Sequence, residues 1–431
     1  MNRLRAGLSG LTTRGGSLLA AGLTLLFGAL TLGQRDLLRA SVFLLALPLC
    51  AIAVVSRMSY RLTATRRLDH PRVELGQPTT LHLSVQNVSR LPTGVLLVEE
   101  LLPYPLGGPQ RFVLDRIEPG GRREVSCPVQ AQQRGSYRIG PLVVRLTDPF
   151  GLCELAHPFT ATDDLIVTPA VSGLPGLRLG GDWIGGGEAT ARSMSISGSD
   201  DIATREYRHG DDLRKVHWRS TARRGELMVR REEQALQSRA TLLLDTRRGA
   251  HRGTGPDSSF EWSVSAVASI GVALRRSGFA LHLLTANGAA LAPPRVAVSE
   301  AIILDTLAVV ALERLGSLEP AVTRLHRGGV DGVLIAVLGL LDVAEAERLT
   351  RLRGGTGICI ALLVDVDTWA PGSNPADDSS PVGGQPSSSQ QRVASLLVAA
   401  GWRVLPVVKG TALASVWPLA AGPAAQFGTR R

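Results

Sequence analysis

The stretch REYRHGDDLRKVHWRSTARRGELMVRREEQ, Arg205 to Gln234, is the most unusual in the chain. It holds nine basic and six acidic side chains. Gly210 reads as a turn. Asp211 or Asp212 can cap the helix that follows, where a carboxylate also meets the positive end of the helix dipole. Leu213 and Val216 give that helix an apolar ridge, and Arg219 and Arg223 lie four apart on another face. Arg223 and Arg224 fall in the last turn, where cations are favoured, and Gly225 is the stop. Leu227 and Val229 then begin a strand.

C-terminal to this stretch, apolar runs alternate with helical patterns. The runs are ATLLLDT (240–246), FALHLLT (279–285), GVLIAVL (332–338), GICIALLVD (357–365) and WRVLPVV (402–408). A helix over Ser259 to Ser277 carries Phe260, Val264, Val267, Ile270 and Leu274 on one face. Ser258 with Glu261, and Asp342 with Glu345, read as capping boxes. Continuous apolar strands alternating with helices predict a mostly parallel sheet covered on both faces. Residues 370–392, rich in Pro, Gly and Ser, read as a flexible loop.

N-terminal to it lie a glycine-rich linker (171–199) and a segment of period-two alternation, residues 59–170. Leu81, Leu83 and Val85 alternate with polar neighbours, as do Val125, Cys127 and Val129. About seven short strands over some 100 residues, with turn signals between them, predict an immunoglobulin-like β-sandwich. Two turn-like segments stand out: RGSYRIGP (134–141) and DPFGL (148–152). In the second, Asp148 can bond the following backbone, Pro149 presets the turn, Gly151 permits positive φ, and Phe150 is expected to pack the turn.

Residues 1–58 carry two uncharged runs of 17 residues each, Ser17 to Gly33 and Ala40 to Ser56. Each reaches the short end of the spanning range of about 17–25 residues. The first lacks a small-x-small cleavage site and the second follows at once, so a transmembrane hairpin is expected rather than a signal peptide. Three arginines precede the first run, four (Arg57, Arg61, Arg66, Arg67) follow the second, and two lie between. The positive-inside rule then puts both termini in the cytoplasm. Residues 1–67 hold nine arginines against one acid, a net +8 of the chain's +10. The remainder is nearly neutral, which argues against nucleic acid as a partner.

The run Arg-Glu-Tyr-x-x-Gly-Asp-Asp-x-Arg-x-x-x-Trp-x-x-x-Ala-Arg-x-Gly-x-Leu-x-Val resembles the hallmark of the domain of unknown function 58 (DUF58) family. Its residues here are Arg205, Glu206, Tyr207, Gly210, Asp211, Asp212, Arg214, Trp218, Ala222, Arg223, Leu227 and Val229. RGSYRIGP and DPFGL resemble the β-domain that commonly precedes that hallmark. His209 departs from the family's usual proline, which would only stiffen the turn. The resemblance implies a membrane-anchored protein of the plasma membrane, multi-pass, with cytoplasmic soluble domains and a von Willebrand factor A-like C-terminal domain. It implies a MoxR-type AAA+ ATPase as partner, with a transglutaminase-like membrane protein as a possible second, in assembly or maturation of a target complex.

Metal-binding members of the von Willebrand factor A fold end the first strand Asp-x-Ser-x-Ser. Here Asp245 is followed by Arg247 and Gly249 at the serine positions, and a cation at Arg247 would repel a metal. Asp245 is expected to pair instead with an arginine or a backbone amide. No nucleophile set, HExxH or Walker motif appears, so no catalytic, cofactor or metal residue is assigned and the chain is not read as an enzyme. The signature would serve as an interface, with Trp218 as anchor if exposed. Two alternatives remain: a metal-dependent ligand-binding module and an arginine-dependent nucleic-acid or nucleotide binder.

Overall fold

A computed structural model describes residues 10–58, 62–90, 92–148, 150–175, 204–207, 216, 218–230, 239–291, 299–328, 332–353, 357–370 and 388–421. The chain divides into two compact units, Met1–Ala170 with Leu304–Val310, and Val171–Ile303 with Ala311–Arg431.

The first unit begins with helix α1 (Thr13–Leu32) and helix α2 (Arg35–Met58). The Thr12 hydroxyl caps α1 by accepting from Gly15 N, and Gly33, at φ +67°, ends it. Gly22 lets the helices approach closely: a Cβ there would lie 2.9 Å from Leu45. Both helices are long and apolar enough to cross a membrane, by length and composition.

Among the described residues ten strands follow, three more than the alternation predicted. They are β1 (Leu62–Leu68), β2 (Arg72–Glu74), β3 (Pro78–Asn87), β4 (Leu96–Glu100), β5 (Gln110–Leu114), β6 (Arg122–Gln130), β7 (Gly135–Ile139), β8 (Leu142–Thr147), β9 (Glu154–Phe159) and β10 (Asp163–Thr168). They pair as three sheets, β1-β3-β6, β2-β10-β7 and β5-β4-β8-β9. The inward positions of all three feed one core, including Leu81, Leu83, Val98, Val144, Leu165 and Val167. Ala51 and Ile52 of α2 belong to the same core. The unit is therefore β-rich around a shared interior, as expected, with a third small sheet that periodicity did not reveal.

In the second unit, β11 (Thr204–Glu206), helix α3 (Trp218–Arg224) and β12 (Met228–Arg230) precede the main sheet. That sheet consists of β13 (Arg239–Leu244), β14 (Ala280–Thr285), β15 (Val333–Leu338), β16 (Ile358–Val364) and β17 (Arg403–Val407). Its order is β14-β13-β15-β16-β17, and every pairing is parallel. The helices that follow in the chain include α4 (Ser259–Arg276), α5 (Glu300–Val309), whose residues from Leu304 belong to the first unit, α6 (Glu319–Gly328), α7 (Val343–Thr350) and α8 (Ser388–Ala399). All five predicted runs are strands to within two residues at either end. Every residue of β15 is buried, the mark of a strand covered on both faces.

The caps follow the sequence signals. Ser258 Oγ accepts from Glu261 N at the start of α4. At the start of α7, Asp342 and Glu345 form both halves of a capping box. One expectation fails: residues 388–392 are not loop but the first turns of α8, where Gln390 is buried and donates to Val364 O at 2.8 Å. Polar composition hid a helix start whose glutamine serves the core. The rest of that loop, 371–387, and the linker from 176 lie outside the described residues.

Candidate functional site

The described part of the arginine-rich signature closes on itself. β11 and β12 pair antiparallel, with Arg205 opposite Val229 and Glu206 opposite Met228. Tyr207 N donates to Leu227 O at 2.8 Å, extending the ladder by one bond. Between the strands, α3 ends as expected at Gly225, which adopts φ +76° and donates to Thr221 O. Thr221 Oγ1 in turn accepts from Met228 N at 3.0 Å, tying helix to strand. Met228, the first residue of β12, is buried, whereas Leu227 is exposed. The strand thus starts one residue later than the expected start at Leu227. Ala222, Arg223 and Arg224 are exposed, and Trp218 is 70% exposed. Gly210, Asp211, Asp212, Leu213 and Arg214 lie outside the described residues; Val216, expected on the apolar ridge of the helix, is instead buried in an isolated β-bridge, and the helix begins only at Trp218.

A second constellation sits at the carboxyl end of β13, beside β15. The strand order reverses there, and open α/β sheets place their ligands at such a switch point. Arg247 fills it. Its Nε and Nη2 donate to the two oxygens of Asp245 at 3.0 and 2.9 Å. Its Nη1 donates to Glu345 Oε1 at 2.5 Å and its Nη2 to Leu340 O at 3.0 Å. Asp245 also accepts from Arg247 N and Gly339 N. The expectation that Asp245 pairs with an arginine or an amide holds in both forms. All three side chains are buried. Burial opposes the charge on Arg247, and the bond and charge of Asp245 with the charge of Glu345 outweigh it, raising the guanidinium pKa. His251, also buried, has Nε2 2.8 Å from Asp245 O; a carbonyl only accepts, so Nε2 carries the proton. Burial lowers its pKa. Glu345 read in sequence only as a capping residue. It does both tasks, because Oε2 accepts from Asp342 N while Oε1 faces Arg247.

The third constellation concerns the two turn motifs of the first unit. Asp148 is buried, and its carboxylate accepts from Phe150 N at 3.0 Å and Cys153 N at 2.6 Å. Gly151 has φ +69°. Phe150 is 65% exposed, so it does not pack the turn as expected; the Asp148 bonds hold the loop without it. Pro149 lies outside the described residues. The loop backbone instead receives the first turn of α1. Thr12 Oγ1 donates to Gly151 O at 2.7 Å, and Gly15 packs so tightly on Leu152 O that any Cβ would collide with it.

In the RGSYRIGP segment, Gly140 has φ +104°, and a Cβ there would lie 2.6 Å from Arg66 Nη2. Arg66 is buried, with Nη2 2.6 Å from Glu100 Oε1 and Nη1 donating to Ala161 O and Asp163 Oδ2. Counting Arg66 among the flanking charges of the second apolar run was therefore wrong. The fold consumes it, leaving Arg57, Arg61 and Arg67 for that role.

Among the described residues no cluster of three His, Cys, Asp or Glu is placed to hold a metal ion. A family model described as "Protein of unknown function DUF58" matches residues 203–351. A search of curated proteins found no match. Among solved structures, the CARDB domain of the PF1109 protein from Pyrococcus furiosus is similar over 25% of this chain and 94% of its own, at 14% identity and a TM-score of 0.19. The C-terminal domain of wzt is similar over 25% of this chain and 75% of its own, at 13% identity and a TM-score of 0.20. Likeness at these TM-scores carries no argument about this chain.

Proposed function

The chain carries a DUF58 domain, and from that premise we propose that it is a membrane-anchored interaction protein. Its two apolar helices hold it as a multi-pass protein in the plasma membrane, its soluble units face the cytoplasm, and its signature segment captures a MoxR-type AAA+ ATPase. The complex then serves assembly or maturation of a target, with a transglutaminase-like membrane protein as a second partner. The parallel sheet of the second unit is read as von Willebrand factor A-like, and the β-rich unit as immunoglobulin-like.

The observation that carries this reading is Trp218. It stands 70% exposed on a short helix whose strands are locked to one another, with exposed Arg223 and Arg224 on the same helix. Tryptophan and arginine dominate the energetics of protein interfaces, and a fixed aromatic loses little entropy on docking. The metal-dependent alternative has less support, because Arg247 already takes up both carboxylates at the switch point. The nucleic-acid alternative is opposed by the near-neutral charge outside residues 1–67.

The test is capture of the tagged, detergent-solubilised full chain from its host with ATP present, followed by mass spectrometry. An AAA+ ATPase retained by the wild type and lost by Trp218→Ala, at an unchanged melting temperature, is the expected result. Its absence with folded wild-type protein would sink the reading.

A further inference from the structure

On α2, residues Phe43, Ala46, Leu47, Cys50, Ala51 and Val54 recur at the spacing of a single helix face. Together with Asp148 and Phe150 they line a groove of about 360 Å³. That volume falls in the range of about 300–1,000 Å³ typical of small-molecule sites. Asp148 adds no open charge to the wall, because its carboxylate is turned to the amides of Phe150 and Cys153. Phe43, Val54 and Phe150 are each more than half exposed, an apolar surface of the kind that marks an interaction site. The exposed Arg14 stands beside the turn that carries Phe150: its Nη1 would lie 3.9 Å from a Cβ on Gly151. The packing of Gly15 on Leu152 O holds Arg14 and the turn in fixed relation.

We propose that this groove binds one acyl chain of an anionic phospholipid, with the lipid phosphate against Arg14. The proposal rests on the reading of α1 and α2 as membrane spans. Given that reading, the floor of the groove is continuous with the lipid-facing side of α2, so a lipid enters it without leaving the bilayer. Phe150 then covers the chain from the cytoplasmic side, as aromatic residues do at membrane boundaries. The guanidinium of Arg14 suits a phosphate in bidentate geometry, and anionic lipids are the acyl-bearing molecules that offer one at that depth. The turn motif thus serves as a lipid clamp as well as a socket for α1.

The experiment uses the full chain in liposomes of phosphatidylcholine, with or without phosphatidylglycerol, whose acyl chains carry bromine to quench nearby tryptophan. The six native tryptophans all lie beyond residue 180 and give the wild-type background. Phe150→Trp and Phe43→Trp are both expected to show quenching beyond that background. For Phe150→Trp the quenching should rise severalfold when phosphatidylglycerol is present, and the added Arg14→Gln should remove the rise. Quenching of Phe43→Trp without Phe150→Trp would overturn the lipid site and leave the membrane reading standing; a second copy or another protein segment would then fill the groove. Quenching of neither would overturn both. Quenching of Phe150→Trp that ignores phosphatidylglycerol would overturn the anionic headgroup assignment.

Discussion

Among the described residues, each unit buries an arginine against carboxylates, and the two burials are finished to different degrees. In the α/β unit, every oxygen of Asp245 and Glu345 accepts at least one hydrogen bond, from Arg247 or from a backbone amide. In the β-rich unit, Glu100 is fully buried, yet its Oε2 has no hydrogen-bond partner among the described residues, and neither has Arg66 Nε. Burial accordingly wins at Glu100 over the charge of Arg66 and raises the carboxyl pKa. A buried ion pair repays its desolvation only when the remaining lone pairs and protons are also satisfied. The first site meets that condition and the second does not, so the two should respond differently when broken.

The largest expected effect is at the finished site. Arg247→Met leaves two carboxylates buried without their cation, which costs about 3–5 kcal/mol when a buried pair is broken. Thermal unfolding in detergent should show the loss in the transition of the α/β unit. The double variant Arg247→Met with Asp245→Asn should recover part of it, because one uncompensated charge is gone. A loss as small as that of a surface substitution would break the comparison at its stronger end. Arg66→Met is expected to cost less, about 1–3 kcal/mol, the penalty for leaving one polar group unsatisfied. Glu100 has an escape: its pKa is already raised, so it can neutralise.

pH separates the units further, with opposite signs. The folded pKa of Glu100 lies above its ordinary 4.5, so the native state binds the extra proton. Its contribution is fully present below about 4.5 and is lost as pH rises through the raised value. Relative to the wild type, Glu100→Gln should therefore gain stability as pH rises through that window. His251 runs the other way. Its folded pKa lies below its ordinary 6.5, so its contribution is present above about 6.5 and is lost as pH falls through the lowered value. His251→Gln should thus be flatter than the wild type below about 6.5. Equal slopes for variant and wild type at either site would remove that group from the comparison.

The two sites also differ in how legible they were. Asp245 and Arg247 are two residues apart at the end of an apolar run, so their meeting follows from local geometry. Glu345 comes from 98 residues away and looked fully explained by its capping box, which hid its second role. Arg66 was hidden more deeply. Its strand, LTATRRL, has two adjacent arginines and follows an apolar helix, so charge counting assigned it to the membrane flank. What decides its burial is Glu100 on β4 and the bare backbone of Gly140, and neither is adjacent in sequence. The continuous apolar runs of the parallel sheet were legible because both faces of each strand are covered. β9 was not, since Pro158 and His157 interrupt its pattern. The exposure of Phe150 was missed because an aromatic beside a turn usually packs on it.

The smallest expected effect lies at the arginine cluster that is not buried. Trp218, Arg223 and Arg224 are exposed, so Trp218→Ala removes no core contact on the scale of Arg247. Surface substitutions away from caps and cores stay within about 0.5 kcal/mol, and in a unit of this size that moves the melting temperature by less than about 2 °C. Met228→Ala is the matched contrast on the same motif. Met228 is buried, and truncating a buried methionine costs about 2–5 kcal/mol. If the two variants melt as far apart as this, the signature has a folding half and a free half, divided between one side of β12 and the face of α3 that carries the indole. A Trp218→Ala variant that melts like Met228→Ala would instead make the whole motif structural, and a partner would then have to be sought on another surface.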